Sequence, residues 1–411
     1  MLSFDDILAA RERIADGIIA TPCPLSPALS DLLGCEVYCK LDFLQRTGSF
    51  KERGARNALL LLDAQQRARG VIAASAGNHA LALAYHGGKL AVPVTVVMPA
   101  FAPLVKQMNC RRLGATVVLC SGSFADAKAR ADELAQQQGL TYIHGYDDPA
   151  IIAGQGTLGL EVVEQVPDFD AIVVPIGGGG LIAGVALAVK HLRPAAQVIG
   201  VEAVNSPCFS AAIAAGKAVQ VDSPPTLADG LAVGKIGENA LEIARPRVDR
   251  LVQVSESQLA LAIARLMELE KSVVEGAGAA PLAAMLSGAL ADLAGKKIVL
   301  VLCGGNIDMT ILGRLIDAAL VADGRLARFT AVISDRPGGL ARLATLIAEI
   351  GASIKEVTHD REFSGPNVAA VNVLCTVEAR DQAHIDELYR ALSAAGVHHF
   401  AHEGRDASAA R

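Results

Sequence analysis

Tryptophan is absent from the 411 residues, and aromatic side chains make up only 4% of them. Base-stacking platforms for nucleic acids need such rings, so that class is disfavoured. A surplus of basic charge is also missing. The formal net charge is −6, and no Lys/Arg stripe stands ready to neutralise phosphates. The eight cysteines, Cys23, Cys35, Cys39, Cys110, Cys120, Cys208, Cys303 and Cys375, include no CxxC pair, which argues against a zinc knuckle. Their even count does not imply disulfides, because disulfide frameworks belong to small secreted domains. The first residues carry Asp5, Asp6, Arg11 and Arg13 in a helix-like pattern and lack the apolar stretch of a signal peptide. Reduced thiols in a cytoplasmic protein are the expectation. One uncharged run, Ala171 to Val189, is long enough to cross a bilayer. It contains Pro175 and four consecutive glycines, so a strand, a tight loop and a buried helix explain it better.

Hydrophobic residues make up 52% of the chain and charged residues 19%, which describes a well-buried globular protein. The length of 411 residues exceeds one ordinary core and predicts at least two domains. Short β-branched runs recur, each followed by a helical pattern: Val71 to Ala74, Val94 to Met98, Thr116 to Leu119, Ile172 to Val174, Val198 to Val201 and Ile298 to Leu302. Continuously apolar strands alternating with helices predict an α/β fold with buried parallel sheets. Ligands bind beyond the carboxyl ends of such strands. Small or glycine-rich segments follow three of these strands: Ser75-Ala76-Gly77-Asn78, Gly177 to Gly180, and Cys303-Gly304-Gly305-Asn306.

The pattern restarts after Ala322-Asp323-Gly324-Arg325. Thr330 to Ser334 reads as a strand, Asp335 to Gly339 as a turn, and Leu340 to Ile350 as a helix. Val368 to Val377 reads as a strand and Asp381 to Ala395 as a second helix. This predicts a small ferredoxin-like domain over residues 328–402, with a frayed tail after Glu403. The larger domain spans 1–322, with a smaller α/β subdomain at roughly 45–150.

Gly177-Gly178-Gly179-Gly180-Leu181 follows a strand and opens a helix. Backbone N–H groups can converge there and add to the positive helix end, which suits a phosphate. A tight turn needs only one or two glycines, and the spacing is not the GxGxxG of a dinucleotide site. Lys51, in Thr47-Gly48-Ser49-Phe50-Lys51-Glu52-Arg53-Gly54, is the second element. Most lysines are surface residues. One that joins an aldehyde covalently needs a lowered pKa, from burial or nearby cations.

Taken together, Gly48 to Lys51, Ser75 to His79, Gly177 to Leu181 and Cys303 to Asn306 resemble the fold-type II pyridoxal-phosphate enzymes. Within them the chain is most similar to the threonine/serine dehydratase branch. Asp147-Asp148-Pro149 and Gly154-Gln155-Gly156-Thr157 add to the resemblance, which runs to about Gly313. The region after Phe329 resembles an ACT domain through Asp335-Arg336-Pro337-Gly338. The resemblance implies a tryptophan synthase β-like fold, a homo-oligomer and pyridoxal 5'-phosphate as cofactor. Lys51 would carry the cofactor as an internal aldimine and later move the α-proton. Gly177, Gly178, Gly179, Gly180 and Leu181 would bind its phosphate. Asn78 would hold the ring's phenolic oxygen, and Cys303 would face the pyridine nitrogen. A thiol there leaves that nitrogen largely unprotonated, which favours β-elimination over transamination. Ser75, Ala76, Gly77, Asn78 and His79 would receive the substrate carboxylate through backbone N–H groups, with no proton role for His79.

The implied activity is dehydration and deamination of L-threonine, and of L-serine, to 2-oxobutyrate or pyruvate and ammonia. Ammonia loss from 3-hydroxyaspartate or phenylserine, β-replacement by a thiol, and a non-catalytic amino-acid sensor are the alternatives. Leu81 stands where many members carry glutamine, leaving the choice of substrate open. The related serine racemases carry a second serine where this chain has Ala76. They also bind a divalent metal through a glutamate and an aspartate six residues later; Glu202 matches the first, but the second is Cys208. The expectation is a dehydratase without a strong metal site, leaving room for a weaker cation near Glu202. The ACT-like domain implies an amino-acid effector or, failing that, a dimerisation module.

Overall fold

The computed structural model describes residues 2–102, 104–360 and 369–402. The chain divides into two compact units, Met1–Ile307 and Asp308–Arg411. Among the described residues the first unit holds nine strands. They are β1 (Glu36–Lys40), β2 (Val71–Ala74), β3 (Val94–Pro99), β4 (Thr116–Cys120), β5 (Thr141–Tyr142), β6 (Ala171–Pro175), β7 (Gln197–Ala203), β8 (Arg250–Val254) and β9 (Lys297–Val301). They build two parallel sheets, one in the order β1-β9-β6-β7-β8 and one in the order β4-β3-β2-β5. Parallel neighbours need crossover connections, and helices supply most of them. β2 and β6 are buried along their whole length, as strands covered on both faces are.

The long uncharged run is split. β6 ends at Pro175, and the helix Gly180–Leu192 begins after the glycine loop. Among the described residues no helix is long and apolar enough to cross a membrane. Three strands escape a reading of apolar runs. β1 carries Lys40, buried by ion pairing. β5 has two residues. β8 begins with Arg250 and exposes Gln253.

Close helix contact explains several glycines. The helices Pro149–Gln165 and Gly180–Leu192 cross where a Cβ on Gly184 would overlap Ile152 O and lie 2.5 Å from Gly156 N. A Cβ on Gly154 would lie 2.6 Å from Arg53 O, so the same helix also packs tightly on Lys51–Leu60. The Gly154–Thr157 motif is therefore a packing device that seats the helix bearing Lys51.

The second unit begins with the helix Met309–Ala322, which the composition break near residue 322 assigns to the first. Its strands are β10 (Leu326–Ser334), β11 (Ser353–Asp360), β12 (Ala370–Glu378) and β13 (His398–His402). They form an antiparallel sheet in the order β11-β12-β10-β13. The helices Gly339–Ile350 and Gln382–Ala394 contribute Leu343, Ile347, Ile385 and Leu388 to its core, against Phe329, Val373 and Cys375. This is the βαββαβ order of ferredoxin-like folds. Apolar patterning does not reveal β11 and β13. Both are edge strands, β11 is mostly exposed, and β13 reads His-His-Phe-Ala-His. Val368 and the tail after Glu403 lie outside the described residues.

Gly184→Val should destabilise the first unit by about 2–3 kcal/mol, because the backbone of the facing helix cannot yield. A lower denaturant midpoint at unchanged slope checks this.

Candidate active site

Lys51 opens its helix on a loop tied to a second loop far along the chain. Phe50 N donates to Cys303 O at 2.9 Å, Gly305 N donates to Gly48 O at 2.9 Å, and Ser49 bridges Gly304 as in a sheet. This pairing brings Lys51 and Cys303 to the same cavity, of about 520 Å³. Lys51 Nζ donates to Gly145 O at 2.6 Å and sits 5.1 Å from the Phe50 ring centroid. Burial pushes its pKa down to about 8, against the pull of Cys303 and Glu275. The sequence pattern points to Lys51, but not to the carbonyl that holds it.

Gly177, Gly178, Gly179, Gly180 and Leu181 line the same cavity, between β6 and the helix Gly180–Leu192. Each glycine lacks room for a side chain. A Cβ on Gly178 would overlap the Tyr146 ring, and one on Gly180 would lie 2.5 Å from Tyr146 O. On Gly177 it would lie 3.0 Å from Gly230 O. Gly179 has φ +89° and would press on Ile236 at 2.9 Å. A simple turn would not need all four. The loop is a small-residue cradle at a helix N-terminus, and it fits a phosphate. The residues present therefore suit a phosphorylated aldehyde: an anion cradle and a low-pKa amine share one cavity.

Ser75, Ala76, Gly77, Asn78 and His79 line the cavity from the carboxyl end of β2. They lead into the helix Asn78–Leu90, whose first-turn N–H groups have no helical acceptor. His79 Nε2 lies 3.2 Å from Ile143 O, and burial, with Lys51 nearby, pushes its pKa down to about 3. Its ring is therefore held neutral. Cys303 is buried, and burial first and Glu275 second push its thiol well above the usual range.

A further residue is not legible in the motifs. Glu275, just before the helix Gly276–Leu286, accepts from Asn78 Nδ2 at 2.8 Å and is buried. Burial, with Asp229 adding to it, raises its carboxyl to about 7. A lone acid between Val274 and a helix of small residues is the only sequence signal it gives. Lys106 Nζ pairs with Asp229 at 2.8 Å, both residues lining the cavity.

Glu202 lies at the end of β7, with its carboxylate accepting from Phe209 N at 2.5 Å, Ser210 N at 3.0 Å and the Ser210 hydroxyl. It caps the helix Cys208–Ala215. Cys208 Sγ donates to Gly177 O at 3.3 Å. Asp147 caps the helix Glu238–Ala244, and Asp148 caps Pro149–Gln165.

Two parallel sheets that share an anion cradle and a depressed lysine define a cofactor-dependent enzyme. The chain belongs to the pyridoxal-phosphate dependent enzymes, whose family model matches residues 14–304. It is similar to an L-threonine ammonia-lyase of Thermotoga maritima, 41% identical over 396 residues that cover 96% of this chain and 98% of that protein. It is also similar to the processed threonine deaminase isoform 2 of Solanum lycopersicum, with a TM-score of 0.74 and 36% identity over 77% of this chain and 92% of that one. A serine racemase of Dictyostelium discoideum has a TM-score of 0.71 and 35% identity over 75% of this chain and 99% of that one.

An amine reacts with acylating reagents only when unprotonated. In protein stripped of cofactor, Lys51 acylation should rise with pH through about 8 and then level, whereas exposed lysines keep rising above 10. Peptide mass spectrometry across a pH series reads both.

Proposed function

We propose that the protein deaminates L-threonine to 2-oxobutyrate and ammonia, and L-serine to pyruvate and ammonia. The observation that carries this reading is Lys51, a lysine whose ammonium is disfavoured by burial, set in the cavity that also holds the glycine cradle. The near-full-length similarity to an L-threonine ammonia-lyase supports the choice of substrate.

In this mechanism Lys51 would carry the cofactor, the cradle from Gly177 to Leu181 would take its phosphate, Asn78 would hold its ring oxygen and Cys303 would face its ring nitrogen. Pyridoxal phosphate, once bound, supplies a sink for the electron pair left at Cα. The N–H groups from Ser75 to His79 orient the substrate carboxylate. The Lys51 amine, set free when the substrate amine displaces it, would then take the Cα proton, and burial, which disfavours its ammonium, helps keep it available as a base. The β-hydroxyl departs as water, and water is taken up again as ammonia is released, so threonine yields 2-oxobutyrate and ammonia. The Cys303 thiol stays neutral. No carboxylate charges the ring nitrogen from that side, which favours elimination over transamination.

Similarity to serine racemases raises the question of D-amino acids. Position 76 decides against them in this reading: the Ala76 methyl has no proton to give on the far face of the substrate. The second unit is read as an ACT-like module that binds an amino-acid effector, supported by its βαββαβ order. A cytoplasmic homo-oligomer completes the proposal.

Lys51→Ala should abolish both turnover and the borohydride-trapped adduct, as read by oxo-acid assay and mass spectrometry. Equal activity in that variant would refute the mechanism. Ala76→Ser should introduce D-serine or D-allothreonine formation, detectable by chiral chromatography.

A further inference from the structure

Three groups fix the orientation of Asn78 one after another: Thr47 O, the Asn306 amide and Glu275. Thr47 O can only accept, so the Asn306 side chain must present its Nδ2 there, at 2.7 Å. The same Nδ2 donates to Asn78 Oδ1 at 2.8 Å. Asn78 Nδ2 is thereby turned away from Asn306, and it donates to Glu275 Oε1 at 2.8 Å. One N–H of that amide remains for the cavity that Asn78 lines, while its oxygen is turned to Asn306. The carboxylate has a place made for it: a Cβ on Gly304 would overlap Glu275 Oε1, and one on Gly230 would come within 3.5 Å of it. Glu275 N is itself anchored on Gly304 O at 3.0 Å.

We propose that Glu275 is a positioning residue for the cofactor ring: by accepting from Asn78 Nδ2 it leaves that amide a single donor facing the ring oxygen. The inference rests on the reading of the cavity as the cofactor site. A side chain so held selects the oxygen that carries free lone pairs and negative charge. An amide free to flip would present its own oxygen half the time and repel that group. Glu275 acts through Asn78 and need not touch the cofactor.

The test is a double-mutant cycle on cofactor affinity, measured on the full chain by titrating pyridoxal phosphate into protein stripped of it and following visible absorbance. Asn78→Ala and Glu275→Ala should each weaken binding about 5- to 100-fold, the range for one lost or unmet hydrogen bond. In both single variants the pH midpoint of the visible band should move in the same direction. With Asn78 already replaced, adding Glu275→Ala should change the affinity less than twofold. Asn306→Ala, which frees the amide from the other end, should reproduce the Glu275→Ala spectrum and serves in its place if that variant does not fold. Additive losses in the double variant, or wild-type affinity in Glu275→Ala and Asn306→Ala, would overturn the positioning role alone. A wild type that gains no visible band would overturn the cofactor site and this inference with it.

Discussion

Arg53 is wholly buried two residues beyond Lys51, and its guanidinium is held from two sides. Nε and Nη2 donate to the two oxygens of Asp42 at 2.9 and 2.7 Å, while Nη1 and Nη2 donate to Glu161 at 2.5 and 2.8 Å. Lys40 reaches the same Glu161 at 2.6 Å, so two cations face two carboxylates with no charge left over. Removing one partner of such a buried set costs about 3–5 kcal/mol. The cluster joins β1, the helix of Lys51 and the helix Pro149–Gln165. It locks the rotation of the Lys51 helix, while the loop pairing from Gly48 to Phe50 with Cys303 to Gly305 locks its start. Lys51 Nζ can then stay beside Gly145 O without side-chain packing of its own on every face. The site depends on this clamp.

Steric space does the complementary work. Where charge pins the lysine helix, missing side chains let the backbone approach everything around it. Gly154 and Gly184 draw three helices together, and Tyr146, Leu231 and Ile236 crowd the run from Gly177 to Gly180. The loop is therefore supported rather than loose. Its N–H groups can face an anion at a fixed place with little ordering left to do on binding.

What could be read from the sequence follows from these two devices. Four consecutive glycines, or Cys-Gly-Gly-Asn after a buried strand, are compositions that ordinary packing does not demand, so they show in a single chain. Buried strands such as β2 and β6 show for the same reason. Glu275, Gly145, Tyr146 and Asp229 are ordinary residue types whose roles arise only when distant segments meet. Asp147, Asp148 and Glu202 give the opposite lesson. They stand beside the site motifs, yet they serve as helix caps, and a carboxylate at a helix start looks the same in sequence whether it meets N–H groups or a ligand. β1 and β11 were hidden by charge, in one case buried and paired, in the other exposed at a sheet edge.

One force also orders the electrostatics of the cavity. Burial lowers the Lys51 ammonium and the His79 imidazolium, and it raises the Cys303 thiol and the Glu275 carboxyl. In each case the neutral form gains. The lysines that line the cavity nearer solvent are matched: Lys106 with Asp229, and Lys128 with Asp132. Burial thus weakens the charged forms that the protein brings to the reacting region, and two helix N-termini add positive partial charge there. Charge would enter with the cofactor's phosphate and with the amino-acid substrate. A lysine whose ammonium is disfavoured by desolvation gains proton affinity once such anions arrive, because a nearby negative charge favours the ammonium. The amine that desolvation makes easier to deprotonate in the empty cavity would become the better proton acceptor when the cavity is filled.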